Sequence, residues 1–218
     1  DFSDYDTHAY TVDTGTPTLA VDIVDTALNT SDNVSQVTFT FSEAPQGFTA
    51  GDIVATGGTI SALTATADPR IYTATFTATD GFTGQGSVAV AAGTYTDAAG
   101  NPGSGNADTV SIDNAVPLMV DQSFVYAENS TTGTAVATVV AKDASGITNF
   151  QFRWADNSLH ATSQDGYFAI NSAGQVTLTT AGAISSANDF ETLANNRSYA
   201  VVATDGAGNT KIATITLN

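Results

Sequence analysis

The sequence has no cysteine, so neither a disulfide nor a thiolate metal site can hold this fold. Basic residues are nearly missing as well: 5 Lys and Arg stand against 22 Asp and Glu, for a formal net charge of −17. Such a surface cannot neutralise phosphates, which excludes a nucleic-acid partner, and it has none of the polybasic segments that anionic membranes attract. No run of 18 apolar residues crosses a bilayer and no signal peptide is recognisable, so the piece is expected to be a soluble internal segment of something longer. Histidine is limited to His8 and His160, each standing alone, and no Gly-rich loop follows a strand and opens a helix. Gly57-Gly58 and Gly81 to Gly86 have the character of turns. Paired carboxylates of the glycosidase kind need a cleft, whereas these acids fall in loops. No enzyme chemistry is expected.

What remains is a chain with 42% hydrophobic residues and only 12% charged ones. Val, Ile, Thr, Phe and Tyr are abundant, which argues against disorder despite the acidity. Segments such as Val37-Thr38-Phe39-Thr40-Phe41, Ile71 to Thr77 and Val136 to Val140 alternate apolar and polar residues, with Gly, Asn, Asp or Pro between them. That period of two predicts strands. No segment sustains a helical stripe; the most helix-tolerant stretch is Ile184 to Leu193. The fold class is all-β, as two tandem Greek-key β-sandwiches.

Two internal echoes set the boundary between them. Val12-Asp13-Thr14-Gly15-Thr16-Pro17 returns as Ile112-Asp113-Asn114-Ala115-Val116-Pro117, 100 positions on. Thr96-Asp97-Ala98-Ala99-Gly100-Asn101 returns as Thr204-Asp205-Gly206-Ala207-Gly208-Asn209, 108 positions on. Repetition at about 100 residues means tandem modules. The expected division is a leader over 1–14, a first sandwich over 15–113 and a second over 114–218, with Asp6 to Val12 as the last strand of a preceding module. Expected strands are 18–24, 34–42, 52–56, a hairpin of 59–66 with 70–78, 87–95 and 107–112 in the first module. In the second they are 123–126, 134–141, 149–154, 167–170, 175–180, 198–204 and 210–217.

The acids are 19 Asp and only Glu43, Glu128 and Glu191. Short carboxylates in loops are turn-formers, and in clusters they are the ligands a hard cation takes. Sandwich topology sorts them by end. At the top of the first module stand Asp13, Glu43, Asp97 and Asn101. At the junction stand Asp25, Asp32 and Asp80, with Asp113 and Asn114 of the linker and Asp143, Asp205 and Asn209 of the second module. At the far end stand Glu128, Asp189 and Glu191. Like charges ~5 Å apart repel by roughly 1–3 kcal/mol, and Ca2+ reverses the sign of that term. Calcium takes six to eight oxygens in irregular geometry, whereas Mg2+ demands an octahedron and Zn2+ wants nitrogen or sulfur.

The second module resembles a cadherin-like repeat, through Ala127-Glu128-Asn129-Ser130 with Gly133-Thr134, Val139 to Asp143, Phe168 to Asn171 with Gly174-Gln175-Val176, Asp189-Phe190-Glu191 and Tyr199 to Asp205. The first is similar to the bacterial Ig-like repeats of large secreted adhesins, through Val37 to Glu43, Phe48 to Ile53 and Tyr95 to Asn101. These resemblances imply a calcium-dependent extender of a Gram-negative cell-surface adhesin, of the kind that carries C-terminal RTX repeats and works in attachment. They also imply that Glu128, Asp189 and Glu191 share calcium with a following repeat. Ser145 stands where the cadherin pattern has a second Asp, and the linker lacks the Asp-Xaa-Asn-Asp-Asn run, so fewer ions are implied per junction. The partners implied are neighbouring modules of the same chain, with surface ligands reached through other domains and a monomeric state.

A calcium-dependent sugar or peptide binder is the alternative, built on Trp154 and the insertion Ala155 to Gln164. A Trp on strand C of an Ig-like sandwich belongs to the core, with Arg153 pointing outward. Phe82 and Tyr95, which flank strands, are expected to be buried.

Overall fold

The computed structural model describes residues 12–189 and 196–218. The chain divides into two compact units, one over Asp1–Leu28 and Asn33–Ile112, the other over Asn29–Asp32 and Asp113–Asn218. The expected strand at Asp6 to Val12 lies almost wholly outside the described residues, as does Glu191.

The first unit has strands β1 (Leu19–Ile23), β2 (Ala27–Asn29), β3 (Val34–Phe41), β4 (Ile53–Thr56), β5 (Gly58–Ile60), β6 (Thr64–Ala65), β7 (Ile71–Ala78), β8 (Thr83–Val90) and β9 (Asn106–Asp113). One sheet runs β1-β3-β7-β5, with β6 also on β7; the other runs β2-β9-β8-β4. Alternation decides which face is inside. In β3, Ser35, Val37, Phe39 and Phe41 are buried; in β7, Ala74, Phe76 and Ala78 are. Val88 and Val90 of β8 and Val110 and Ile112 of β9 close the core from the opposite sheet. Each large side chain so buried contributes about 1.5–3 kcal/mol.

The expected strand at 87–95 is corrected to β8, which starts at Thr83 and ends at Val90. Gly84 and Gly86 lie in this strand instead of forming a turn, because a Cβ on Gly86 would come within 2.4 Å of Ile112 Cδ1. Glycine here permits close approach of the sheets. Gly58 likewise lies in β5, under the Phe76 ring. After Gly93, at φ 79°, the chain folds Tyr95 inward to 1% exposure, and its hydroxyl lies 3.0 Å from the Ser104 carbonyl and 3.2 Å from that of Pro17. Burial pushes the Tyr95 pKa up. Phe82 packs half-buried against the same core.

The second unit has β10 (Gln122–Phe124), β11 (Ala135–Thr138), β12 (Ile147–Arg153), β13 (Leu159–His160), β14 (Phe168–Ile170), β15 (Gln175–Leu178), β16 (Arg197–Asp205) and β17 (Thr210–Leu217). Five strands form the sheet β10-β17-β16-β12-β13 and three form β11-β15-β14, with β10 parallel to β17. Phe150, Phe152, Val201, Ala203, Ile215 and Leu217 from the larger sheet meet Val136, Phe168, Ile170, Val176 and Leu178 from the smaller. The strand expected at 175–180 stops at Leu178, since the Thr179 side chain caps a single helical turn, α1 (Thr180–Ala183), by accepting from Gly182 N at 3.0 Å.

Trp154, expected in the core, packs against it from the edge. β12 ends at Arg153, so Phe150 and Phe152 fill the interior while the Trp154 ring stays half-buried at the edge. Its indole stacks on His160 at a centroid distance of 3.6 Å, and its Nε1 donates to the Thr162 carbonyl at 2.9 Å. His160 therefore does not stand alone; its Nε2 also lies 2.8 Å from Ser158 Oγ. Arg153 turns its guanidinium onto the Asn157 side-chain oxygen.

The tightest steric constraint in the first unit is at Gly103, where a Cβ would lie 2.1 Å from the Tyr95 ring. Gly103→Ala is expected to destabilise the first unit by about 1–3 kcal/mol through overpacking, lowering its urea midpoint without changing the slope.

Candidate metal centres

Each unit gathers three acidic side chains from loops and strand ends that are separate in sequence. Among the described residues, Asp13, Glu43 and Asp97 form one group and Asp113, Asp143 and Asp205 the other, with ligand oxygens within 4.8 Å of one another in each. The members correspond one to one. The first acid precedes the first strand of its unit (β1 or β10), the second follows β3 or β11, and the third comes before the last strand of the unit, Asp97 between β8 and β9 and Asp205 at the end of β16.

The third acid is fixed by a clasp that both units share. Asp97 Oδ1 accepts from Asn101 N at 2.8 Å and Oδ2 from Asn101 Nδ2 at 2.7 Å; the same Nδ2 lies 3.0 Å from the main-chain oxygen of Asp13. Asp205 Oδ1 accepts from Asn209 N at 2.8 Å and from Ala207 N at 2.9 Å, and Oδ2 accepts from Asn209 Nδ2 at 3.0 Å. Asn209 Nδ2 also donates to the Asp113 carbonyl at 2.8 Å. The main chain closes each loop, with Asp97 N donating to Asn101 O at 3.1 Å and Asp205 N to Asn209 O at 3.0 Å. The curl requires a left-handed residue before the Asn, and Gly100 (φ 89°) and Gly208 (φ 86°) supply it.

The clasp alters the role expected for Asn101 and Asn209. Their amide nitrogens face the carboxylate, so they position an acidic ligand and tie the incoming chain to the loop. The signal in the sequence was the repeated Asp-x-x-Gly-Asn ending itself. Burial pushes the Asp97 carboxyl up, but hydrogen bonds from the Asn101 side chain and from the main chain of Asn101, Ala99 and Gly100 outweigh it and hold the pKa below the usual value.

The groups differ in exposure. Asp113 and Asp205 are 8% and 2% exposed, with Asn114 buried beside them and Asp143 half-buried. In the first unit only Asp97 is buried; Glu43 is half-buried and Asp13 exposed. Ser145 donates to Asp143 Oδ1 through both N and Oγ at 2.8 Å, so it orients the carboxylate it follows. Asp25, Asp32, Asp80, Glu128 and Asp189 belong to neither group. Asp25 instead takes a main-chain bond from N to Ser35 Oγ, at 3.0 Å. The ion pairs Arg70–Asp68 (2.7 Å) and Arg197–Asp165 (3.6 Å) engage other carboxylates.

Chemically, each group offers oxygen donors alone, on loops and strand ends, with no imidazole or thiolate. That fits a hard divalent cation of flexible coordination, calcium above magnesium or zinc. Crowded and partly desolvated carboxylates repel one another, and such an ion would neutralise them.

Comparison with known proteins places residues 13–114, just under half of the chain, in a match to the family model of a bacterial Ig-like domain. No curated protein matches. Among solved structures, the chain is similar to protocadherin gamma B2 extracellular cadherin domains 3–6, at 15% identity and TM-score 0.39, covering 93% of this chain and 50% of that one. It is similar to Drosophila N-cadherin EC1–4 at 14% identity and TM-score 0.42, covering 93% and 49%. It is similar to the Yersinia pseudotuberculosis adhesin InvE at 19% identity and TM-score 0.32, covering 93% and 58%. The chain thus spans about half the length of these structures. Among the described residues no helix is long and apolar enough to cross a membrane.

The buried clasp gives a direct prediction. Asn209→Ala removes two donors from buried acceptors and is expected to destabilise the second unit by about 2–4 kcal/mol in chelator-treated protein. Asn101→Ala, whose clasp ties down an exposed Asp13, is expected to cost less in the same denaturant titration.

Proposed function

We propose that this chain is a calcium-stiffened spacer of a bacterial cell-surface adhesin, working outside the cell to hold ligand-binding regions away from it. The observation that carries the reading is the duplication of one acidic constellation. Asp13, Glu43, Asp97 and Asn101 are matched by Asp113, Asp143, Asp205 and Asn209, at offsets of 100 and 108 residues. A pattern serving only to shape turns has no reason to bring three separate carboxylates to one point in both units.

Each constellation joins the segment that leads into a unit to two loops of that unit. An ion held by Asp113, Asp143 and Asp205 would bind the incoming segment to the second unit, and one held by Asp13, Glu43 and Asp97 would do so for the first. The ion supplies charge neutralisation and a cross-link, and the residues supply its oxygens. Freedom of the connecting segment falls, and modular chains are otherwise free to move at such joints. The match of residues 13–114 to a bacterial Ig-like domain supports the bacterial adhesin setting, and an RTX-type parent belongs to the same reading. The partners are then adjoining modules of the same chain.

Calcium titration into chelated protein tests the sites. At about a hundred times Kd an ion adds ~2.7 kcal/mol to stability, so melting temperature should climb with calcium in the wild type. Asp143→Asn with Asp205→Asn should abolish the rise for the second unit. Small-angle scattering tests the spacer role: the radius of gyration is expected to change on chelation, and an identical value with and without calcium would refute stiffening.

A further inference from the structure

We propose that the edge just past β11, at Val140, is a strand-addition site for an extended segment of another polypeptide, and that the Gln122 carboxamide holds its place. β11 is an edge strand, hydrogen-bonded to β15 in the sheet β11-β15-β14. Beyond it the chain is met on that edge by a single bridge, in which Leu118 N donates to Lys142 O at 2.8 Å and Lys142 N to Leu118 O at 3.0 Å. In an antiparallel ladder the next pair to exchange both bonds lies two residues along each strand, here Val120 with Val140. That pair never forms, because the chain departs to the other sheet, where β10 begins at Gln122.

The Gln122 side chain makes the missing bonds. Its Nε2 donates to Val140 O at 2.9 Å and its Oε1 accepts from Val140 N at 3.0 Å. A carboxamide is a peptide group on a side chain, with the same donor and acceptor, so the position it fills is complementary to main chain. The surroundings are apolar and open. Leu118, Val120 and Val140 are 71%, 67% and 61% exposed and line a groove of about 270 Å³ with Met119, Ala141 and Lys142. The first unit has no such opening at the same place, since β1 covers the edge of β3 along five residue pairs, Leu19↔Phe41 to Ile23↔Val37.

The occupant follows from this chemistry. Its main chain takes the bonds to Val140, its alternate β-branched side chains cover Leu118, Val120 and Val140, and a carboxylate meets the exposed Lys142, one of only 5 basic residues in a chain of net charge −17. Exposed edges and contiguous apolar patches are otherwise what a soluble β protein avoids.

The test is a 15N-HSQC titration of the full chain with the peptide acetyl-Thr-Val-Thr-Val-Asp-amide. The Val140 amide and the Gln122 side-chain NH2 resonances should shift together. Gln122→Ala should bind at least threefold tighter, since the competing carboxamide is gone, and the same spectra report whether that variant is folded. Gln122→Glu, which cannot donate to Val140 O, should bind tighter too. A peptide N-methylated at its central residues should bind at least tenfold weaker, and one with Lys in place of Asp at least twofold weaker. The proposal is overturned by unmoved Val140 and Gln122 resonances at millimolar peptide, by equal binding of the N-methylated peptide, or by unchanged or weaker binding to both Gln122 variants.

Discussion

One interaction recurs in both units and organises each: a buried aspartate grasped by the asparagine four residues after it. Without that grasp Asp97 and Asp205 would keep only the main-chain donors of their own loops, and an under-compensated buried anion is among the most expensive groups a protein can hold. With it, the loop is closed through side chain and main chain together, and the spare amide hydrogen reaches the carbonyl of Asp13 or Asp113. The direction of the incoming chain and the position of the acidic group are therefore set by the same five-residue turn. Ser145 performs a smaller version of this service for Asp143.

A second constraint is how each unit handles its first strand, which must serve two sheets. Crossing between sheets strands main-chain groups, and side chains answer them. In the first unit Asn106 Oδ1 accepts from Val21 N at 3.0 Å and Asp108 Oδ2 from Ile23 N at 2.8 Å, so β9 reaches across to β1. In the second, Asp121 Oδ1 accepts from Thr214 N at 2.8 Å, while Gln122 serves Val140. These polar residues, on the last strand of the first unit and at the start of the second, are thus substitutes for ladder bonds. Their cost in local order is offset because buried or edge main-chain groups are seldom left unanswered.

How much of this was legible follows from what period and spacing encode. Strands with full alternation, such as those holding Phe39 and Phe76 or Val201 and Ile215, could be read to within a residue or two, because an apolar period of two has a single structural meaning. The start of β8 differs from the expectation since Gly84 and Gly86 have the character of turn residues, and only the structure shows Ile112 and Phe76 pressing on Gly86 and the Phe82 ring beside Gly84. β2 and β13 are too short for any period, and Trp154 packs on the core only half-buried because one residue past a strand end the inward parity no longer guarantees cover. Of the site, the acids were visible through their repetition at 100 and 108 residues, and loop ends brought Asp13, Glu43 and Asp97 together, whereas the junction set was drawn too wide. Loop ends alone could not distinguish Asp143, which meets its partners, from Asp25, which spends its main chain on Ser35.

The position of Trp154 has a use independent of any ligand. It is the single tryptophan of the chain, it belongs to the second unit, and its ring lies against His160. Tyr72 and Tyr95 absorb in the first unit, but indole emission arises from the second alone. The molecule thus carries its own optical label: red-edge excitation follows the unfolding of one half of a tandem pair while the other half stays dark, with no dye and no substitution.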